Sequence, residues 1–347
     1  VAYRIKVKSS EDLTTMKCPS CNLEQSAGVR FCEDCGARLE ISTGGAATVA
    51  AGDRRICPHC GAAGAANDGG FCPKCGLERK SLIEDHLDVS ATADIAGVSD
   101  RGRQRVRNED FVAVGPDVLV VCDGVSQSQQ PDRAARGAAT CVRDELVKAA
   151  GASRAAMLNA ITAADAIVRA LPSDASNPGE PAETTIVAAA RRGGEITLGW
   201  LGDSRAYWAG PDVLRQLTVD HSWVNEIVAR GDFTREQALR HPNAHAITRT
   251  LGGPVTDKAT DEPSVLQLRI GTDLTTPGWL LLCTDGFWDC AANETDFAEF
   301  MLKRIRSHPP EADALSLARL LVQNACELRG HDNVTVGLLA VRREMTA

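Results

Sequence analysis

Two apolar runs, each closing on a carboxylate and a glycine, constrain this chain more than any other feature. They are Val118-Leu-Val-Val-Cys-Asp123-Gly124 and Trp279-Leu-Leu-Leu-Cys-Thr-Asp285-Gly286. Each is about strand length and well short of the roughly 18 apolar residues of a membrane span. An aspartate at the end of a buried strand is costly unless its charge is paired or bound to metal. The glycine after it lets a ligand or metal approach the backbone closely. Two such ends in one domain predict facing strands that deliver carboxylates to a single metal centre.

A second pattern occupies the N-terminal part. Cys18-Pro-Ser-Cys21 is followed by Phe31-Cys32-Glu-Asp-Cys35-Gly36, and the arrangement recurs as Cys57-Pro-His-Cys60 and Phe71-Cys72-Pro-Lys-Cys75-Gly76. This is an internal repeat. Two such knuckles bring four thiolates together around one zinc ion, so the eight cysteines predict two structural Zn2+ sites with no open position for catalysis. The pattern resembles a double zinc ribbon. A module of this size has little core, and metal binding would supply its stability. Ribbon 1 spans 16–40, a linker rich in Ala, Gly and Thr spans 41–53, ribbon 2 spans 54–80, and a charged linker spans 81–89. Residues 1–15 are read as an upstream extension or a cloning remnant. His59, inside the second knuckle, is expected to be exposed and not a ligand. The other five cysteines, Cys122, Cys141, Cys283, Cys290 and Cys326, are scattered singly. Cys122 and Cys283 are expected to fill small core positions.

Charge and hydropathy exclude some roles. The 347-residue chain carries a formal net charge of -8, which argues against non-specific nucleic-acid or anionic-membrane binding. Neither ribbon forms a basic stripe. No apolar run reaches membrane-spanning length, and Val1–Lys17 lacks the apolar core of a signal peptide. The expected location is cytoplasmic, with no membrane and no nucleic-acid partner.

From residue 90 to 343 the chain reads as one large domain. Strands are predicted at 90–97, 111–115, 118–122, 184–191, 195–201, 204–209, 213–217, 264–270, 279–284 and 333–342. Helices are predicted at 131–150, 153–171, 221–230, 234–240, 295–307 and 310–329. Many strands follow one another without a helical crossover, which favours antiparallel sheets with helices covering their outer faces. The acids Glu109, Asp110, Asp123, Asp203, Asp285, Asp289 and Asp332 all fall at strand edges or turns. Any one alone reads as a turn or cap residue, but their coincidence does not. An oxygen-only ligand set of this kind suits Mg2+ or Mn2+.

In order, Arg105-Val-Arg-Asn-Glu109-Asp110, Asp123-Gly124-Val, Gly202-Asp203-Ser-Arg, Thr284-Asp285-Gly-Phe-Trp-Asp289 and Asp332-Asn333-Val-Thr resemble the signatures of the metal-dependent Ser/Thr protein phosphatases of the protein phosphatase 2C type. The resemblance covers the whole large domain. It implies an α+β fold, a four-layer α-β-β-α sandwich of two antiparallel sheets, preceded here by the two ribbons. It implies that Asp123 bridges two Mn2+ or Mg2+ ions, that the Gly124 carbonyl contacts one of them, and that Asp285 and Asp332 complete that ion's shell. Glu109 would serve the second ion, Asp110 would orient metal-bound water, and Arg105 would hold the substrate phosphate. Asp203 and Asp289 match acids that bind a third, weaker ion, and Asn333 supports the ligands from behind. The implied reaction is hydrolysis of phosphoserine and phosphothreonine in a protein substrate by a hydroxide held between the two ions.

Three departures accompany the resemblance. Val125 stands where some members carry a histidine. Ser126-Gln-Ser-Gln-Gln-Pro-Asp132 replaces a small glycine-rich turn. Glu183-Thr184-Thr185 lacks a glycine before the threonines. Residues 218–253 correspond to the variable flap, in which His221 is expected to be a structural hydrogen-bonder. A dehalogenase-type phosphatase would need an aspartate at Val121, which rules it out. A non-catalytic phosphoprotein-binding scaffold remains the alternative, disfavoured because crowded, unused carboxylates repel one another. The ribbons are expected to dock a kinase or scaffold partner.

Overall fold

The computed structural model describes residues 15–17, 24–26, 74, 85–149, 153–172, 181–254, 262–274 and 277–342. All eight ribbon cysteines lie outside the described residues, so the two zinc sites are not tested by it. Strand β1 (Thr15–Lys17) pairs antiparallel with β2 (Glu24–Ser26).

The large domain opens with β3 (His86–Thr92) and β4 (Ile95–Asp100), which pair through a tight turn at Ala93 and Asp94. Here the structure corrects the sequence reading. The single strand expected at 90–97 is the middle of a hairpin, and β3 starts inside the span read as linker. The cause is an edge strand whose few apolar residues, Leu87 and Val89, alternate with His86, Asp88 and Ser90 and give a weak signal.

Then come β5 (Asp110–Gly115), β6 (Val118–Asp123), α1 (Pro131–Lys148), α2 (Arg154–Arg169), β7 (Ile186–Arg192), β8 (Glu195–Leu201), β9 (Arg205–Ala209) and β10 (Leu214–Gln216). The flap carries α3 (Trp223–Ala229) and α4 (Arg235–Leu239). The chain continues with β11 (Ser264–Arg269), β12 (Gly278–Cys283), the single turn α5 (Asp285–Trp288), α6 (Glu294–Ser307), α7 (Ala314–Leu328) and β13 (Val334–Val341). Helices α2, α6 and α7 begin where Ser153, Asn293 and Asp313 accept a backbone N–H three residues on.

Six strands form one sheet in the order β10-β9-β12-β13-β4-β3, and five form another in the order β11-β8-β7-β6-β5. Neighbours in both are antiparallel. Side chains alternate along each strand, which sorts the core into three layers. Leu119 and Val121 of β6 meet Leu280 and Leu282 of β12 between the sheets. Val118, Val120 and Cys122 turn outward onto α1 and α2. Trp279, Leu281 and Cys283 turn the other way onto α6 and α7. The result is the expected α-β-β-α sandwich. Cys122 and Cys283 are fully buried in the helix-facing layers, and burial pushes both thiols well above their ordinary pKa. No helix among the described residues is long and apolar enough to cross a membrane.

Candidate active site

The inward-facing rows change character toward one end of the sandwich. On β5, Asp110 shares a face with Val112 and Val114; on β6, Asp123 shares a face with Leu119 and Val121. Across that pair of strands Asp110 lies directly opposite Asp123. Like charges so placed are destabilising. The facing sheet supplies Ser99, Thr284 and Thr335, all fully buried. Thr284 and Thr335 both donate to the same oxygen of Asp110, at 2.8 and 2.7 Å. Asn108 donates to Ser99 at 2.8 Å, and Ser99 donates in turn to Thr335 at 2.7 Å. This donor chain ends on a carboxylate, so each hydroxyl polarises the next.

Asp285 opens α5 just past the end of β12, and a hydrogen bond joins its carboxyl group to that of Asp123. Two carboxyl groups in such contact cannot both be ionised without a cation. Desolvation by burial, followed by repulsion among the acids, raises Asp110 to about 8 and Asp285 to about 6. The same causes hold Asp123 and Asp203 well above the ordinary carboxylate range. Asp203, in the turn between β8 and β9, also has a buried Oδ1 with no hydrogen-bond partner.

The rim is cationic. Arg105 donates Nη2 to Asp332 Oδ2 at 2.6 Å and Nη1 to Ser126 Oγ at 3.1 Å. Glu109 accepts from Arg107 Nε at 2.6 Å and from Ser126 Oγ at 2.7 Å. Asn333 fixes this loop to the start of β13. It accepts from the Glu109 N–H at 2.8 Å and donates to the carbonyls of Arg101 and Arg107, both at 2.9 Å. The chain's own packing also requires both Asp-Gly glycines. A Cβ on Gly124 would lie 2.4 Å from the Pro131 carbonyl oxygen, and one on Gly286 would lie 2.0 Å from that of Asn333.

The structure therefore brings together Arg105, Glu109, Asp110, Asp123, Asp285 and Asp332, with Asp203 close enough to act on Asp123 and Asp285. Asp289 closes the turn that Asp285 opens, its N–H donating to the Asp285 carbonyl at 2.8 Å. It is half-exposed and engaged by Arg329 at 2.8 Å and His331 at 3.6 Å. Among the described residues no three His, Cys, Asp or Glu side chains form a ready-made ion shell. The reason is visible in the contacts: Glu109 and Asp332 are turned onto arginines, and Asp110 onto two threonines. The donor set nevertheless fits divalent cations. It is all oxygen, it is desolvated, and it holds an unpartnered carboxylate oxygen on Asp203 and a contact between two acids.

Neighbouring groups hold the frame. Arg205 grips Asp220 with two nitrogens, at 3.0 and 2.7 Å, and lies 3.5 Å from the Trp288 ring centroid. Trp288 donates to the Asp203 carbonyl at 3.0 Å. His221 is buried, accepts from the Gly202 N–H at 3.1 Å and sits 3.0 Å from Ser264 Oγ. Burial, helped by Arg249, lowers it to about 4, so it is a neutral structural group. Sequence reasoning gave no role to Ser126, Arg107, Ser99, Thr284 or Thr335. The last three had a usable signal, since each extends the inward row of a buried strand with a hydroxyl. A cavity of about 540 Å³ lies beyond Glu183, between α2 and the end of the flap, and none of the clustered acids lines it.

Residues 18–76 match the family model for a double zinc ribbon, and residues 99–322 match that for protein phosphatase 2C. The chain is 35% identical over 163 residues to the serine/threonine phosphatase stp of Listeria monocytogenes, an overlap of 47% of this chain and 58% of that protein. It is 30% identical over 250 residues to the serine/threonine protein phosphatase PstP of Mycobacterium tuberculosis, covering 70% of this chain and 43% of PstP. It thus spans less than two thirds of either relative. Among solved structures, M. tuberculosis PstP/Ppp superposes with a TM-score of 0.56 at 26% identity, covering 74% of this chain and 100% of that one. The PstP catalytic domain in complex with two manganese ions gives 0.54 at 27% identity, covering 72% and 97%. With a matching family model that takes in more than half of its length, and with the sandwich to go with it, the chain belongs to the protein phosphatase 2C family.

Proposed function

We propose that this protein is a metal-dependent protein serine/threonine phosphatase. The observation that carries the reading is the desolvated pairing of Asp110, Asp123 and Asp285 beneath Arg105, an arrangement that only protons or cations can hold together. Asp123 would be shared between two Mn2+ or Mg2+ ions with the Gly124 carbonyl beside it. Asp285 and Asp332 would complete one shell and Glu109 the other, and Asp203, with Asp289, would serve a third and weaker ion. When bound, such ions neutralise phosphate charge and make water acidic enough to supply a nucleophile at neutral pH. The chain's own part is positional. Arg105 offers paired donors to the phosphate of the substrate. Asp110, one oxygen of which is clamped by Thr284 and Thr335, orients solvent next to Asp123. Asn333 keeps the Arg105 loop in register with Asp332. The manganese-bound PstP domain supports two ions in this fold.

Asp123→Asn tests the assignment. Turnover of nitrophenyl phosphate with Mn2+ is expected to fall by orders of magnitude while circular dichroism and melting temperature stay close to wild type. Near-normal turnover would overturn it, whereas absence of Mn2+-dependent turnover in the wild type would favour a phosphoprotein-binding scaffold. The ribbons are proposed to dock a partner protein, a kinase complex or a scaffold. Removing residues 1–80 is then expected to spare nitrophenyl phosphate turnover and weaken action on the natural phosphoprotein. Equal loss on both would instead make the ribbons part of the catalytic fold.

A further inference from the structure

We infer that Ser126 is the residue that positions Arg105 for phosphate; this rests on the phosphatase reading above. Among the described residues, Ser126 has a side chain that hydrogen-bonds both Arg105 and Glu109. The direction of both bonds follows from chemistry, because a guanidinium can only donate and an ionised carboxylate can only accept. The hydroxyl therefore spends its proton on Glu109, at 2.7 Å, and a lone pair on Arg105, at 3.1 Å. Its oxygen is made a better acceptor by giving its proton to a charged group.

Arg105 has one other side-chain anchor among the described residues, and it does not suffice. Its Nη2 is tied to Asp332 at 2.6 Å, and its Nε is buried without a hydrogen-bond partner. Asp332 is a proposed cation ligand, so a bound cation competes for the carboxylate that holds Nη2. Ser126 is not a proposed ligand, so its oxygen stays available to Nη1 when cations bind and fixes the plane in which the guanidinium presents its donors. Two parallel donors recognise phosphate only when that plane is set.

The backbone at Ser126 is held independently of its side chain. The Val125 N–H donates to the Glu183 carbonyl at 3.0 Å, and the Ser128 N–H donates to the Val125 carbonyl at 2.8 Å. Ser128 Oγ accepts from the Glu183 N–H at 3.0 Å. Ser126 itself is exposed. Ser126→Ala is thus expected to leave the fold intact.

The experiment compares wild type, Ser126→Ala, Ser126→Thr and Arg105→Ala in the full-length, Mg2+-loaded protein. Inorganic phosphate binding is measured by calorimetry, and KM and kcat with nitrophenyl phosphate. Loss of one hydrogen bond to a charged group predicts that Ser126→Ala weakens phosphate binding and raises KM about tenfold, with kcat within about twofold. Ser126→Thr, which keeps the hydroxyl, is expected to restore both. Arg105→Ala is expected to abolish phosphate binding. If Arg105→Ala abolishes it and Ser126→Ala leaves it unchanged, or lowers kcat at constant KM, the role of Ser126 is overturned while the phosphatase reading stands. If wild type neither binds inorganic phosphate nor hydrolyses nitrophenyl phosphate, the phosphatase reading itself falls.

Discussion

At the scale of single residues, burial decides which side chains can titrate and in which direction. His221 illustrates the sign. Its Nδ1 accepts the Gly202 N–H, so the folded protein needs the neutral ring, and burial lowers it from 6.5 to about 4. The unfolded chain binds that proton near 6.5 and the folded one does not, so the contribution is complete above about 6.5 and is lost as pH falls toward about 4. At about 1.4 kcal/mol per pH unit the upper bound is about 3 kcal/mol. Comparing wild type with His221→Gln by urea unfolding, the stability difference is expected to shrink by up to that amount between pH 7 and pH 4.5. The carboxylates are common to both proteins and cancel. A difference independent of pH would mean that the imidazole titrates as it does in water.

At the scale of elements, sequence was most legible where burial was two-sided. Runs such as Val118–Cys122 and Trp279–Cys283 are apolar on both faces because one face meets the other sheet and the other meets helices, so their identity as central strands was unambiguous. β3 was missed because an edge strand needs only Leu87 and Val89 against the core. The turn α5 was missed because four residues carry no periodicity, although Asp285 and Trp288 at its two ends both face the site. The acids themselves were legible, since a carboxylate after a buried strand has few structural uses. What was not legible was the company they keep. Whether Glu109 meets Arg107, or Ser126 meets Arg105, depends on loop geometry that no period encodes. Asp289 makes the same point in reverse: its spacing from Asp285 places it one turn along, but Arg329 and His331, distant in sequence, take its carboxylate.

At the scale of the whole molecule, the two sheets are pressed together by an apolar layer at one end of which carboxylates gather, and the sandwich must tolerate them. Without cations it does so by retaining protons. Asp110 and Asp285 are raised to about 8 and about 6, and Asp123 and Asp203 lie well above 3.8. The folded chain then binds more protons than the unfolded one, so this contribution is present below about 3.8 and is lost as pH rises toward about 8. His221 opposes the trend only below about 6.5 and with one proton, whereas several acids act together, so the acids win between pH 6.5 and 8. Chelator-treated protein is therefore expected to melt at lower temperature at pH 8 than at pH 6.5. Cations replace protons, so saturating Mg2+ or Mn2+ is expected to raise the melting temperature more at pH 8 than at pH 6.5. Differential scanning calorimetry at constant ionic strength reads both. If chelated protein instead gains stability steadily across that range, the carboxylates are ionised at no cost, and the closed cluster between the sheets does not exist in solution.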